Sequence, residues 1–152
     1  MRARLTLALA LSLAAACESV TGPASDLERA RRRWASAEPA AYEMTVRHVC
    51  FCITEVTVPV VVTVRGGVVQ SRRYADGSAL AGRDVDPRYA ATFPAVEGLF
   101  DVLDDAVRRR AADIQATYDP QRGYPTAFYI DYERNVADEG QGYQIQAFRA
   151  LP

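Results

Sequence analysis

The chain has 152 residues, 49% of them hydrophobic and 24% charged, with a formal net charge of −1 at pH 7. This is the composition of an ordinary globular protein, and the length accommodates one domain of the commonest size. All 18 basic residues are arginines, and the absence of lysine excludes Schiff-base and Ser–Lys chemistry. Nucleic-acid binding needs a basic excess, which is absent, so no nucleic-acid partner is expected.

Residues 1–16 have the features of a bacterial signal peptide. Arg2 and Arg4 precede an uncharged stretch, residues 5–16, that is too short to span a bilayer stably. The stretch ends in small residues followed by Cys17, which resembles a bacterial lipobox and implies that Cys17 is lipidated after cleavage. The alternative is an ordinary secretory signal with an Ala-x-Ala cleavage site and an incidental cysteine.

We favour the lipoprotein, because a cysteine rarely falls by chance at the end of such a segment. The sequence then predicts a protein of the cell envelope, periplasmic or surface-exposed, that is held to a membrane by an N-terminal lipid. Glu18 follows the cysteine where an inner-membrane retention signal would have Asp, which favours the outer membrane. Residues 17–24 are expected to form a lipidated tether, and residues 25–152 a single domain.

The predicted domain begins with an amphipathic helix from Ser25, where Glu28 completes a capping box, to Glu38. Alternating apolar and polar residues then predict three strands, over residues 42–52, 56–64 and 68–74. Pro59 places the second strand at a sheet edge or a bulge. A Gly66-Gly67 turn joins the second strand to the third.

The second half repeats this order of elements. After a loop over residues 77–93, residues 94–112 predict a helix whose apolar stripe includes Leu99, Phe100 and Leu103. Strands are then predicted over residues 114–118, 126–132 and 143–148. Runs of strands between helices indicate an α+β fold, with a mainly antiparallel sheet of five to six strands and two helices packed on one face.

No constellation of catalytic residues is found. His48 is the only histidine, and the sequence has no Gly-x-Ser-x-Gly elbow and no nucleotide-binding glycine pattern. Asp131, Glu133 and Asn135 have the spacing of a calcium loop, but Val136 stands where that loop needs glycine. We therefore expect neither an enzyme nor a cofactor.

Cys50 and Cys52 are the only thiols left once Cys17 is lipidated, and an oxidising exported compartment favours a disulfide between them. Residues i and i+2 of an ideal strand lie about 6.5 Å apart, whereas the Cβ atoms of a disulfide lie about 3.8 Å apart. The strand would therefore have to kink, and the bridge would be easier to reduce than an ordinary one. The competing interpretation is a Cu(I) or Zn(II) site, because Met44 and His48 share the same strand face with both cysteines.

A tyrosine-rich segment follows the second predicted helix. Tyr118, Asp119, Tyr124 and Asp131 are the candidate partner surface, since aromatic residues are enriched at interfaces. Half-buried sheets are equally rich in aromatic residues, and Pro120 with its following glycine is typical of a hairpin turn. We favour the structural interpretation for this segment.

Several of these residues together resemble the bacterial family labelled domain of unknown function 6174. The resemblance runs from about residue 34 to residue 148 and rests on Trp34, Tyr42, Cys50-Phe-Cys52, the hairpin at residues 64–68, Leu99-Phe100 and Tyr118-Asp-Pro-Gln-Arg-Gly-Tyr-Pro125. It implies an envelope-associated domain with no assigned activity, and it transfers no catalytic residue.

Two functional hypotheses remain open. The first is a non-enzymatic envelope lipoprotein that serves a structural role or binds an envelope protein partner. The second is a thiol-based site at Cys50 and Cys52, either metal-binding or redox-active.

Overall fold

The computed structural model describes residues 22–152. Two main helices, a short helix and six strands follow one another along this part of the chain, with a 3₁₀ turn at Pro87–Thr92. In chain order they are α1 (Pro23–Ala37), β1 (Ala41–Val49), α2 (Thr54–Thr57), β2 (Val60–Arg65), β3 (Val68–Tyr74), α3 (Val96–Arg109), β4 (Asp113–Tyr118), β5 (Pro125–Asp131) and β6 (Gln141–Ala150).

The six strands form one antiparallel sheet in the order β3-β2-β1-β6-β5-β4. Two three-stranded meanders are joined through the β1–β6 pair, which runs from Tyr42 opposite Ala150 to Val49 opposite Gly142. The predicted α+β class with a mainly antiparallel sheet is therefore confirmed, as is the order of helix, three strands, helix, three strands.

One buried cluster contains residues of both long helices and of the sheet. Alternate residues of β1 and β2 point into it, and α3 contributes the stripe that the sequence predicts, with Leu99, Phe100 and Leu103 at most 1% exposed. Arg31 of α1 also donates a hydrogen bond of 2.5 Å to Asp104 of α3. Because this cluster is continuous, the two long helices pack on the same face of the sheet.

The start of α1 differs from the prediction. The helix begins at Pro23 with Gly22 as its N-cap, and Ser25 closes the first turn from inside the helix. The Ser25 hydroxyl accepts a hydrogen bond from Gly22 N at 3.1 Å and donates one to Gly22 O at 3.0 Å. Proline suits this first turn because it has no N–H to satisfy.

The boundaries of the first two strands were also wrong. β1 ends at Val49, so Cys50 and Cys52 lie outside the strand, and residues 54–57 form a helical turn where a strand was expected. β2 is the second strand of the sheet, with Pro59 just before it, so of the two expected positions the edge is wrong. The β2–β3 pairing does contain a bulge, but it lies at Thr63/Val64 and not at Pro59. Pro59 ends the preceding turn without removing a hydrogen bond from the sheet.

Truncation of Leu103 tests the packing of α3. Leu103→Ala is expected to lower the free energy of unfolding by about 2–5 kcal/mol, because it removes buried methyl groups and leaves a cavity. Urea denaturation measures the change. Val102→Ala, at a half-buried position of the same helix, is the matched control and should cost less. A loss below about 1 kcal/mol for Leu103→Ala would show that the stripe is not in the core.

Candidate functional site

The Cys50–Cys52 segment leaves the sheet directly after β1. The two Sγ atoms lie at bonding distance, and the Cα atoms are 5.3 Å apart, within the usual range for a disulfide. The spacing of an ideal strand does not apply here, because β1 has already ended at Val49. The geometric objection to a bridge between neighbours i and i+2 is thereby removed.

Two large apolar side chains project from this segment. Phe51 is 84% exposed and Ile53 is 53% exposed. A bond between Cys50 and Cys52, whose Sγ atoms are at bonding distance, would close a loop around Phe51 and restrict its backbone. We call residues 50–53 the apolar tip. The sequence did not predict the apolar tip. Alternation of apolar and polar residues indicates which face of a strand a residue lies on, but it does not indicate where the strand ends.

His48 lies directly behind the tip and is only 8% exposed. Its Nδ1 is 3.3 Å from the Sγ of Cys50, and its Nε2 is 3.4 Å from the Oε1 of Gln141. The ring stacks on Tyr143 with 4.7 Å between centroids. Burial lowers the pKa of His48 from its ordinary value, which favours the neutral ring.

The four candidate metal ligands are only partly brought together. The donor atoms of His48, Cys50 and Cys52 all lie within 4.8 Å of one another. Met44 is 1% exposed and precedes His48 by four residues in β1. The rise of a strand therefore places Met44 about 13 Å from His48 along the strand. Sharing a strand face therefore does not place Met44 with the other three. Sulfurs bonded to each other also supply no thiolate to a metal.

The tyrosine-rich segment between β4 and β5 makes a tight turn. The Oδ1 of Asp119 accepts hydrogen bonds from the backbone N–H of Gln121 at 3.0 Å and of Arg122 at 2.6 Å. Gly123 has a φ of +86° and lies against α1, where a Cβ would clash with the carbonyl oxygen of Ala30. The hairpin chemistry expected of Asp119 and of the glycine is therefore present.

The same segment attaches α1 to the sheet. The ring of Tyr124 stacks on Phe148 of β6 at 4.5 Å and meets Trp34 of α1 edge-on at 6.2 Å. Arg122 donates a hydrogen bond of 3.1 Å to the carbonyl oxygen of Ala37, at the last residue of α1. These contacts support the structural interpretation of the motif.

The candidate partner residues do not form one surface. Tyr118, Asp119 and Tyr124 lie in this hairpin, and burial raises the pKa of Tyr118 to about 12. Asp131 lies at the opposite end of β5. A hydrogen bond with Glu139 raises the pKa of the Asp131 carboxyl. A partner surface built on all four residues stays a prediction that this arrangement does not favour.

Alanine at Gly123 tests the attachment of α1. Gly123→Ala is expected to cost about 2 kcal/mol or more, because a positive φ and a clash with the backbone of α1 act together. Gly77→Ala is the matched control: its φ is +82°, but nothing lies within 4 Å of the added Cβ. Thermal or urea unfolding should show the larger loss for Gly123→Ala. Equal losses would mean that the close approach of this turn to α1 contributes nothing.

The expected signal peptide of residues 1–16 and the lipidation site Cys17 lie outside the described residues. Within residues 22–152, no helix is both long enough and apolar enough to cross a membrane.

Comparison with known proteins gives a family and no further relative. No curated protein and no solved structure matches the chain. Residues 26–150 match the family of unknown function DUF6174, and this range includes the apolar tip, His48 and the hairpin that attaches α1. The chain therefore belongs to the family of unknown function DUF6174.

Proposed function

We propose that the protein is an exported, lipid-anchored envelope protein whose domain binds a protein partner through the apolar tip. The observation that carries this proposal is Phe51, a large aromatic side chain that is 84% exposed and lies between two cysteines whose Sγ atoms are at bonding distance. Aromatic anchors contribute most of the binding energy at many interfaces. An anchor whose backbone is held by a bond between its neighbours loses less conformational entropy on binding.

The surface beside the tip supports a protein partner. Val49, one residue before Cys50, lines a shallow depression of about 520 Å³ whose other lining residues come from β4, β5 and β6. Tyr129 also lines it, 44% exposed, with its ring packed over Gly142. All of the lining residues are uncharged, the others being Ile114, Gln115, Ala116, Thr117, Ala127, Phe128 and Gln144. An apolar anchor beside neutral hydrogen-bonding groups is typical of a protein–protein interface.

The envelope location rests on the N-terminal sequence. Arg2, Arg4 and the short apolar segment favour export, and Cys17 after small residues favours a lipid anchor. The described domain adds the observation that α1 starts at Pro23, six residues after that cysteine. An extended chain covers about 3.3 Å per residue, so a tether of this length keeps the domain within about 20 Å of the membrane.

Lipidation of Cys17 can be tested directly. Mass spectrometry of the mature N-terminus from the native host should show a lipid-modified Cys17, and the protein should fractionate with membranes. Cys17→Ala should leave it unprocessed or soluble. An unmodified N-terminus at Cys17 or Glu18 would contradict the anchor.

The tip can be tested by comparing two exposed apolar residues. Phe51→Ser should weaken capture of the native envelope partner by at least about tenfold, since a hot-spot side chain contributes about 2 kcal/mol or more. Val68→Ser is the matched control: it is 61% exposed and lies at the β2–β3 hairpin, at the other end of the sheet. Crosslinking in intact cells with quantitative mass spectrometry measures both variants.

Neither substitution should change the melting temperature, because both side chains are exposed. The proposal predicts a set of crosslinked proteins that Phe51→Ser loses and Val68→Ser retains. Identical crosslinking by the wild type and both variants would show that the tip is not a binding surface.

A further inference from the structure

The two sulfurs of the tip have different surroundings. Cys52 is exposed, whereas Cys50 is half-buried with its Sγ 3.3 Å from Nδ1 of His48. A bridge between residues i and i+2 closes a very short loop, so it removes little entropy from the unfolded chain. Stabilisation of the fold therefore does not account for this bond.

Hydrogen-bonding groups around His48 favour one position for the ring proton. The Gln141 amide nitrogen lies 3.5 Å from the hydroxyl of Tyr132, to which it donates, so the Oε1 of Gln141 faces Nε2 of the ring. An oxygen acceptor at Nε2 is satisfied when Nε2 is the protonated nitrogen. In that tautomer the neutral ring directs the lone pair of Nδ1 at the Sγ of Cys50, 3.3 Å away.

We propose that Cys50 and Cys52 form a thiol–disulfide exchange centre that oxidises a dithiol, with His48 as the proton-exchanging residue. A thiolate of the dithiol attacks the exposed Sγ of Cys52. The bond between the two cysteines breaks, its electron pair leaves on Cys50, and a mixed disulfide forms at Cys52. As the bond breaks, Nδ1 takes up a proton from water and shares it with the Sγ of Cys50, which neutralises the new charge.

The second thiol of the dithiol completes the reaction. After losing its proton, it attacks the mixed disulfide, and Cys52 leaves as a thiolate that takes up a proton. Two electrons and two protons pass in total from the dithiol to the cysteine pair. In the reverse direction, the Nδ1 lone pair accepts the proton of the Cys50 thiol. A thiolate departs faster when its charge is neutralised, so the proton that Nδ1 takes from water and shares with Cys50 accelerates the first step.

The other titratable group against the ring does not compete for this role. Tyr143 stacks on His48, and burial raises the pKa of Tyr143 to about 12, so the tyrosine stays neutral. The exchange reaction is stoichiometric and goes beyond partner binding. It depends neither on a partner at Phe51 nor on the lipid anchor.

The test uses the full mature protein in detergent, with dithiothreitol as the dithiol probe at pH 7. Intact mass without reductant should show the loss of two hydrogens, and trapping with an alkylating agent should follow two thiols as they form. His48→Phe keeps a ring on Tyr143 and removes both nitrogens. It should react at least about tenfold more slowly than the wild type.

Two further variants separate chemistry from structure. Tyr143→Phe keeps the stacked ring and should react at the rate of the wild type. Gln141→Leu removes the acceptor at Nε2 and should slow the reaction, which keeps the test decisive if His48→Phe does not fold. Equal rates in the wild type and in the variants that remove the His48 nitrogens or the Gln141 acceptor would overturn the proposal. Two free thiols that resist oxidation by glutathione disulfide, or stoichiometric zinc or copper retained after desalting, would also overturn it.

Discussion

Trp34 links the helical layer to the sheet. Its ring meets Tyr42 of β1 edge-on at 5.5 Å, Phe148 of β6 at 5.9 Å and Tyr124 of the β4–β5 hairpin at 6.2 Å. Its indole N–H donates a hydrogen bond of 2.8 Å to Glu97 in the first turn of α3. A buried indole needs a hydrogen-bond partner, and edge-to-face contacts between aromatic rings are favourable beyond the area that they bury. One side chain thus fixes α1, α3 and the two central strands relative to each other.

The sequence allowed the helices and strands to be identified, but it did not allow their boundaries or the order of the strands in the sheet to be predicted as well. Helical spacing identified the buried face of α3, and a pair of glycines identified the β2–β3 turn. Alternation in β1 continues through Cys52, although the strand ends at Val49, opposite Gly142. The end of a ladder is set by the partner strand, and β6 begins about ninety residues later in the chain. No local pattern contains that information.

The candidate site could be predicted only in part, because local sequence patterns contain no information about distant segments. His48, Cys50 and Cys52 are close in sequence, and proximity along the chain was enough to group them. Met44 shares the strand face of His48 but is buried further along β1, away from the two cysteines. Gln141, by contrast, contacts the His48 ring although it is distant from it in the sequence. Residues that orient a reactive group through a hydrogen bond leave no local signal in a sequence.

β1 connects the two ends of the molecule. Near its start, Tyr42 contacts Trp34, and near its end His48 contacts Cys50. An interior strand with hydrogen-bonded neighbours on both sides is among the most rigid parts of a sheet. The tip therefore extends from a fixed base, and a bond between its two cysteines, at the distance that separates them, would restrict Phe51 beyond that base. Opening this bond would remove the constraint and leave the base intact, so the exchange chemistry and the binding role proposed for the tip act on the same few atoms.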